Sequence, residues 1–336
     1  MSYICLLCGL GTSRVALAEE ANEIDLAQTQ STFLADPDFR QNLKRLMELE
    51  QQALALIEDE PLKMGSLGSA ILDLYPASQT GHLAMQSYYE YLDAEEAQQS
   101  HAVQLAHIHE HMQKLGDGQP ATPFPIMTVH DAHAFARHHD LSPVGAIYQS
   151  SEDATFGYLL IAKPAQAKLR QIFFDVSHLL TGLGLEDADH TEHGPNPWAV
   201  IRILAAGADD AAQTAIGAYL SNVKKYDDAI SWLKVASRSG NILANTLLAR
   251  IYWTQSTSEE DADKKGELKQ LAEENYLTAV ALGSTDAMYS LANLYFAGEL
   301  PGGERESALP LLEQAGELGH AESLIYLAHL YKDRKS

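Results

Sequence analysis

Residues 287–323 read AMYSLANLYFAGELPGGERESALPLLEQAGELGHAES, and the spacing inside this stretch decides the fold. Ala287 is followed four positions later by Leu291 and then by Ala292. The same small–x3–large–Gly/Ala pattern recurs at Ala212/Ile216/Gly217, Ala244/Leu248/Ala249 and Ser323/Leu327/Ala328. The leading positions are 32, 43 and 36 residues apart. Residues four apart share one face of a helix, so each pattern marks a helix, here called A. Leu220, Tyr252, Tyr295 and Tyr331 close the A helices in one register. A second set follows each of the first three: Ala229/Ala236/Gly240, Ala272/Ala279/Gly283 and Ala308/Ala315/Gly319. These mark B helices, each stopped by a glycine able to take the left-handed conformation of a helix end. The glycines are 43 and 36 residues apart, matching the A offsets. Two independent sets with one spacing predict helix pairs that bury their apolar faces by stacking on one another.

The quoted stretch, together with LANTLLARIYW at 243–253, resembles the Sel1-like repeat (SLR) family, a relative of the tetratricopeptide repeats. The resemblance covers about residues 208–336. It departs from the family in a tight A-to-B joint around Val223 to Asp227 and in an acidic, polar insertion at Gln255 to Glu267. The resemblance implies a non-enzymatic adaptor or scaffold that binds a protein or peptide. In such arrays the A helices usually line the concave face. The position after each Gly/Ala is Ala218, Arg250, Asn293 and His329, polar in three units of four. With Tyr289, residues Arg250, Asn293 and His329 form a candidate polar-aromatic ladder for a partner of unknown identity; the alternative is an ordinary solvated helix face.

Upstream, Phe39, Leu43, Leu46 and Met47 recur at helical spacing, and helical pattern continues to Leu115. Residues 39–115 therefore read as a tetratricopeptide-like helical region, preceded by a loose polar stretch at 19–38. From Pro123 the texture changes to short aliphatic and aromatic runs: 124–129, 144–149, 156–162 and 169–176. A helix at 131–139, with Asp131 as its cap, interrupts them, giving the order β–α–β–β–β. Residues 114–178 resemble an uncharacterised bacterial domain that follows tetratricopeptide-like helices. The match rests on KLGDGQPATPFPIMTVHDAHAF, HDLSPVGAIYQ and LLIAKPAQAKLRQIFFDVS. A polar Gly/Pro linker follows at 183–198. The expected fold class is mainly α: an N-terminal helical region at 39–115, a small central α+β domain at 119–180, and an SLR/TPR-like solenoid at 205–336.

Residues 1–18 carry an apolar run from Ile4 to Gly11, then Ala16-Leu17-Ala18 and two glutamates. This order reads as a secretory signal peptide and predicts a periplasmic or secreted product. No Lys or Arg precedes the run, which keeps open a cytoplasmic protein with an apolar first helix. Both cysteines, Cys5 and Cys8, lie inside this segment. No later segment reaches the length of a membrane span.

The net charge of −23 repels phosphate backbones, so nucleic acid is not an expected partner. No nucleophile elbow, phosphate loop or dinucleotide fingerprint appears, and no catalytic residue, metal site or cofactor is assigned. The second reading is a metal-dependent or cell-wall-related hydrolase using the histidine-rich stretch 101–193. Its candidate ligands are His107 and His111 one turn apart, His130, His133, His138 and His139 on the short helix, and His190, His193, Asp187, Asp189 and Glu192 in the linker.

Overall fold

The computed structural model describes residues 24–150, 156–165, 168–184 and 196–333. The stretch 1–18 expected to be a signal peptide, with Cys5 and Cys8, lies outside the described residues, as do His190, His193, Asp187, Asp189 and Glu192 of the linker. The chain divides into two compact units, residues 1–111 and 112–336.

The first unit is helical. Its elements are α1 (Leu26–Leu34), α2 (Phe39–Leu56), α3 (Pro61–Leu74), α4 (Gln79–Tyr91) and most of α5 (Glu95–Leu115). The stretch before Asp38, expected to be loose, carries α1. Asp25 caps it by accepting from the Gln28 amide, and Leu26 and Phe33 are buried. Phe33 meets Phe39 edge-on at 5.6 Å and Tyr75 at 5.0 Å. Two apolar residues seven apart in a polar stretch were too sparse to reveal this helix. Gly68 of α3 lets α4 approach: a Cβ there would stand 2.8 Å from the Met85 side chain. Glu50 is wholly buried and accepts from the Ser78 hydroxyl at 2.6 Å, while that hydroxyl accepts from the Gly81 amide at the start of α4.

The second unit joins a small sheet to the repeats. Its strands are β1 (Phe124–Pro125), β2 (Leu141–Ser150), β3 (Phe156–Pro164) and β4 (Arg170–Asp175), in the order β1-β4-β3-β2. β2, β3 and β4 pair antiparallel, and β1 lies parallel to β4. Helix α6 (Val129–His138) follows β1, and the short α7 (His178–Leu183) follows β4. Thr128, not Asp131, stands at the N-cap of α6; Asp131 lies in its first turn, buried. Strand alternation gives the sheet two apolar faces. Tyr148, Tyr158, Leu160 and Phe174 share one face, where Phe174 meets Phe135 of α6 at 5.8 Å. Ile147, Leu159, Ile161 and Phe173 share the other, in one cluster with Ile242, Leu291 and Leu327 of the repeats.

The repeats are α9 (Asp210–Asn222), α11 (Ile242–Ser258), α13 (Thr285–Phe296) and α15 (Ala321–Asp333) as A helices. α10 (Tyr226–Arg238), α12 (Ala262–Ala281) and α14 (Arg305–Glu317) are the B helices. α8 (Pro197–Ala206) packs on α9 before the first pair. The small residues at Ala212, Ala244, Ala287 and Ser323 are wholly buried, as are the alanines at 229, 236, 272, 279, 308 and 315. The insertion at 255–267 is largely helical: α11 runs 17 residues and α12 runs 20, against 13 for α9 and 13 for α10.

Each B-to-A turn is a left-handed residue followed by a capping residue. Gly240, Gly283 and Gly319 have φ of 84°, 99° and 82°. Asn241, Ser284 and His320 follow them, and each accepts from an amide in the first turn of the next A helix. Ahead of α9 the same turn is Ala208, φ 67°, followed by Asp209, which accepts from the Ala212 amide at 2.8 Å. An L-residue held there costs about 1–2 kcal/mol that glycine avoids. Ala208→Gly is therefore expected to stabilise the second unit by about 0.5–1 kcal/mol, after offsetting the extra chain entropy glycine loses on folding. A denaturation midpoint that falls would refute the strain.

Candidate partner-binding surface

The cap residues also hold the sheet. Asn241 Oδ1 accepts from the Leu243 amide at 3.0 Å and caps α11. Its Nδ2 donates to the Ala146 carbonyl of β2 at 2.8 Å and to Asp210 Oδ2 of α9 at 2.7 Å. Gly145 permits this approach, because a Cβ there would stand 2.9 Å from Asn241 Oδ1 and from Ile242 Cγ2. The Tyr148 hydroxyl donates to Asp209 Oδ2 at 2.9 Å. Further along, a Cβ on Gly283 would lie 3.6 Å from Leu169, and one on Gly319 would lie 3.8 Å from Lys168. The sheet and the loop before β4 thus run along the B-to-A turns of three successive pairs.

This seam gathers titratable groups. The Asp209 carboxyl is raised, first by burial and also by the neighbouring Asp210. Tyr148 is raised well above its ordinary value, by burial and then by Asp209. From α6, His133 shares a hydrogen bond of 3.0 Å with the Tyr158 hydroxyl. Burial lowers His130 and His133 from 6.5 to about 4; Asp209 opposes the shift at His130, while His130 itself adds to the shift at His133. Arg137 lowers His133 further, and Asp210 opposes that shift. These contacts join α6 to the sheet and to the turn before α9.

Of the other candidate ligands, His107 is engaged within its own unit. His107 Nε2 lies 3.2 Å from the Ile24 carbonyl. His82, also lowered to about 4 by burial and by His101, bridges the Pro76 carbonyl and His101. Among the described residues no three His, Cys, Asp or Glu side chains gather as a metal site would need.

The ladder residues sit on successive A helices. Arg250 of α11 and His329 of α15 are exposed, and Asn293 of α13 is half-buried. Tyr289 packs against the His320 ring at 5.1 Å, so it joins α13 to α15. His320 Nε2 in turn lies 3.2 Å from Asp286 and 3.4 Å from Glu322.

Two open grooves flank the B helix α12, on a different set of residues. One, of about 610 Å³, lies among α10, α11 and α12. Its walls include Asp227, Lys234, Lys264 and Glu267, and Tyr252 lines it with a buried hydroxyl that has no partner among the described residues. The second, of about 670 Å³, is lined by Glu273, Glu274 and Leu277 of α12, Tyr295 of α13, Pro301, and Leu311 of α14. Glu273 is fixed at its floor. Its Oε1 accepts from the Tyr295 hydroxyl at 2.7 Å and its Oε2 from the Gly302 amide at 2.9 Å. Burial, then the bond to Glu273, raises the Tyr295 hydroxyl. Leu277 is 46% exposed beside these carboxylates. The sequence pointed to the A helices; the only trace of this groove was an apolar Leu277 on an otherwise polar helix face.

No protein-family model and no curated protein matches the chain. Among solved structures, a Sel1 repeat protein from Oxalobacter formigenes is 23% identical, with a TM-score of 0.32 over 38% of this chain and 95% of that one. A protective antigen of uropathogenic Escherichia coli strains displaying an SLR fold is 14% identical, with a TM-score of 0.24 over 85% of this chain and 59% of that one. Both likenesses are distant, and the repeat assignment rests on the helix pairs of residues 210–333 themselves.

The histidine pair fixes a pH dependence. Between pH 6.5 and 4 the unfolded chain binds protons at His130 and His133 that the folded chain does not. Stability therefore falls as pH is lowered through that window. Asp209, raised in the fold, acts in the opposite sense. Denaturant midpoints are expected to drop from pH 7 to pH 5, and His133→Gln to flatten the slope. An unchanged slope in the variant would place the effect elsewhere.

Proposed function

We propose that this SLR/TPR-like helical-repeat chain is a non-enzymatic scaffold that holds a segment of another protein. The observation that carries this reading is the groove beside α12, where a preset buried carboxylate, Glu273, lies beside exposed Leu277. An apolar wall with two glutamates suits a segment with an aliphatic or aromatic anchor next to Lys or Arg. The charge of the whole chain, −23, steers such a segment inward and repels nucleic acid. Arg250, Tyr289, Asn293 and His329 supply a second contact row on the A helices. No described helix is long and apolar enough to cross a membrane.

A panel of labelled peptides, basic-apolar and acidic-apolar, binding the full chain by fluorescence anisotropy tests this. The basic-apolar set is expected to bind, and Glu274→Gln with Leu277→Ser to weaken it about tenfold or more without loss of helicity. Asn293→Ala with His329→Ala is expected to weaken binding less. Equal binding of both peptide classes, or no effect of the Glu274/Leu277 pair, would overturn the groove as the site.

The signal-peptide pattern read in residues 1–18 extends the proposal to a role in the cell envelope. Intact-mass measurement of the exported protein is expected to show a chain beginning at Glu19. A full-length soluble product would remove the envelope role and leave the scaffold reading standing.

A further inference from the structure

Three tyrosines at one register of the A helices differ in what their hydroxyls meet. Tyr252, Tyr295 and Tyr331 stand on α11, α13 and α15, 43 and 36 residues apart. The Tyr295 hydroxyl donates to Glu273 of the preceding B helix at 2.7 Å. The Tyr331 hydroxyl donates to Glu313 of its own preceding B helix at 2.6 Å. Counted back by the same offsets, the place of Glu273 on α10 is held by Ile230 and the place of Glu313 by Lys234. Neither side chain can accept a hydrogen bond. Tyr252 is 4% exposed, and its buried hydroxyl has no partner among the described residues. A buried donor left unpaired is costly, and nearly all such groups find an acceptor.

The surroundings specify that acceptor. Lys234 Nζ lies 6.0 Å from the centre of the Tyr252 ring, and the side chain is exposed. A hydroxyl beside an ammonium group offers an incoming acceptor two donors, one of them cationic, which favours a carboxylate over a neutral carbonyl. Ile230, Leu268 and Leu271 line the same groove, whose volume of about 610 Å³ lies in the range of small-ligand sites. Its walls also hold Lys264 and three acids, Asp227, Glu259 and Glu267. A second negative charge on the ligand would meet those acids and be repelled. We propose that the groove among α10, α11 and α12 binds a small monocarboxylic acid with an apolar body. The carboxylate accepts from the Tyr252 hydroxyl and from Lys234, and the hydrocarbon lies on Ile230, Leu268 and Leu271. The hydroxyl is shielded from solvent, so the carboxylate reaches it as Lys234 swings from over the ring to pair with it. The ligand thus supplies to Tyr252 what Glu273 and Glu313 supply to Tyr295 and Tyr331. This groove is separate from the one proposed to hold a protein segment, and neither reading depends on the other.

Saturation-transfer NMR titrations of the full chain with hexanoate, hexanamide and adipate test this. Hexanoate is expected to bind, and the neutral amide and the dicarboxylate to bind at least about tenfold more weakly. Tyr252→Phe is expected to weaken hexanoate about tenfold without lowering the denaturation midpoint, because the hydroxyl it removes has no partner in the fold. Lys234→Glu, at an exposed position, copies Glu313. It is expected to engage Tyr252 from within the chain and to abolish hexanoate binding, with a midpoint unchanged or raised. No hexanoate binding up to about 10 mM would overturn the inference. Equal binding of hexanoate and hexanamide, or hexanoate binding untouched by both substitutions, would overturn it too.

Discussion

Asn241 is the contact on which the arrangement of the second unit depends. One side chain ends the turn between two helix pairs, caps α11, and binds both β2 and α9. A capping residue satisfies amides that a helix must leave open. Here the same residue also meets a carbonyl of the sheet, so the spacing of the helix pairs fixes where the sheet can lie. Asp209 repeats the device one pair earlier, with Tyr148 in place of a strand carbonyl. The small domain is thus fastened to polar groups that the repeats expose at regular intervals in any case. The apolar contacts of Leu159, Ile161 and Phe173 then supply bulk burial without having to set the register.

That placement decides which surfaces stay open. The sheet covers the turn side of the A helices, from Gly145 at one end to Lys168 near Gly319 at the other. The grooves lie instead along α12, between neighbouring B helices. The longer α11 and α12 extend the walls of the first groove through Gln255, Ser258, Glu259 and Lys264. The irregular unit therefore makes a concavity that its shorter neighbours cannot. In the second groove Glu273 is held by Tyr295 and by the Gly302 amide, so its carboxylate is already desolvated and oriented. A partner cation meeting it would lose less in reorganisation than at a mobile surface glutamate.

The repeats were legible because their information is periodic. Alanine and glycine at matching offsets can be read with no knowledge of what they touch, and every such alanine but Ala328 proved buried. The order β–α–β–β–β was legible for a similar reason, since aliphatic runs and prolines mark strands locally. What could not be read depends on contacts distant in sequence. Asn241 and Ala146 are 95 residues apart, and nothing in either neighbourhood signals the other. Asp131 had the chemistry of a cap, yet the helix begins earlier, at Val129, and turns Asp131 inward. Glu273 reads as an ordinary helix-surface acid, and only the loop folded over it through Gly302 shows otherwise.

At the start of the repeats α8 closes against α9, and Trp198 meets Tyr219 at 4.7 Å, so the first A helix has a neighbour on its outer side. A stacked array is stable roughly as the sum of its units and their shared faces, so this contact adds to the stability of the first pair. Over the last two pairs the polar contacts repeat as the alanines do: the Tyr331 hydroxyl of α15 donates to Glu313 of α14 at 2.6 Å, the counterpart of the Tyr295–Glu273 bond one pair earlier. The periodic spacing there carries a hydrogen bond from an A helix to the preceding B helix as well as the apolar packing between them.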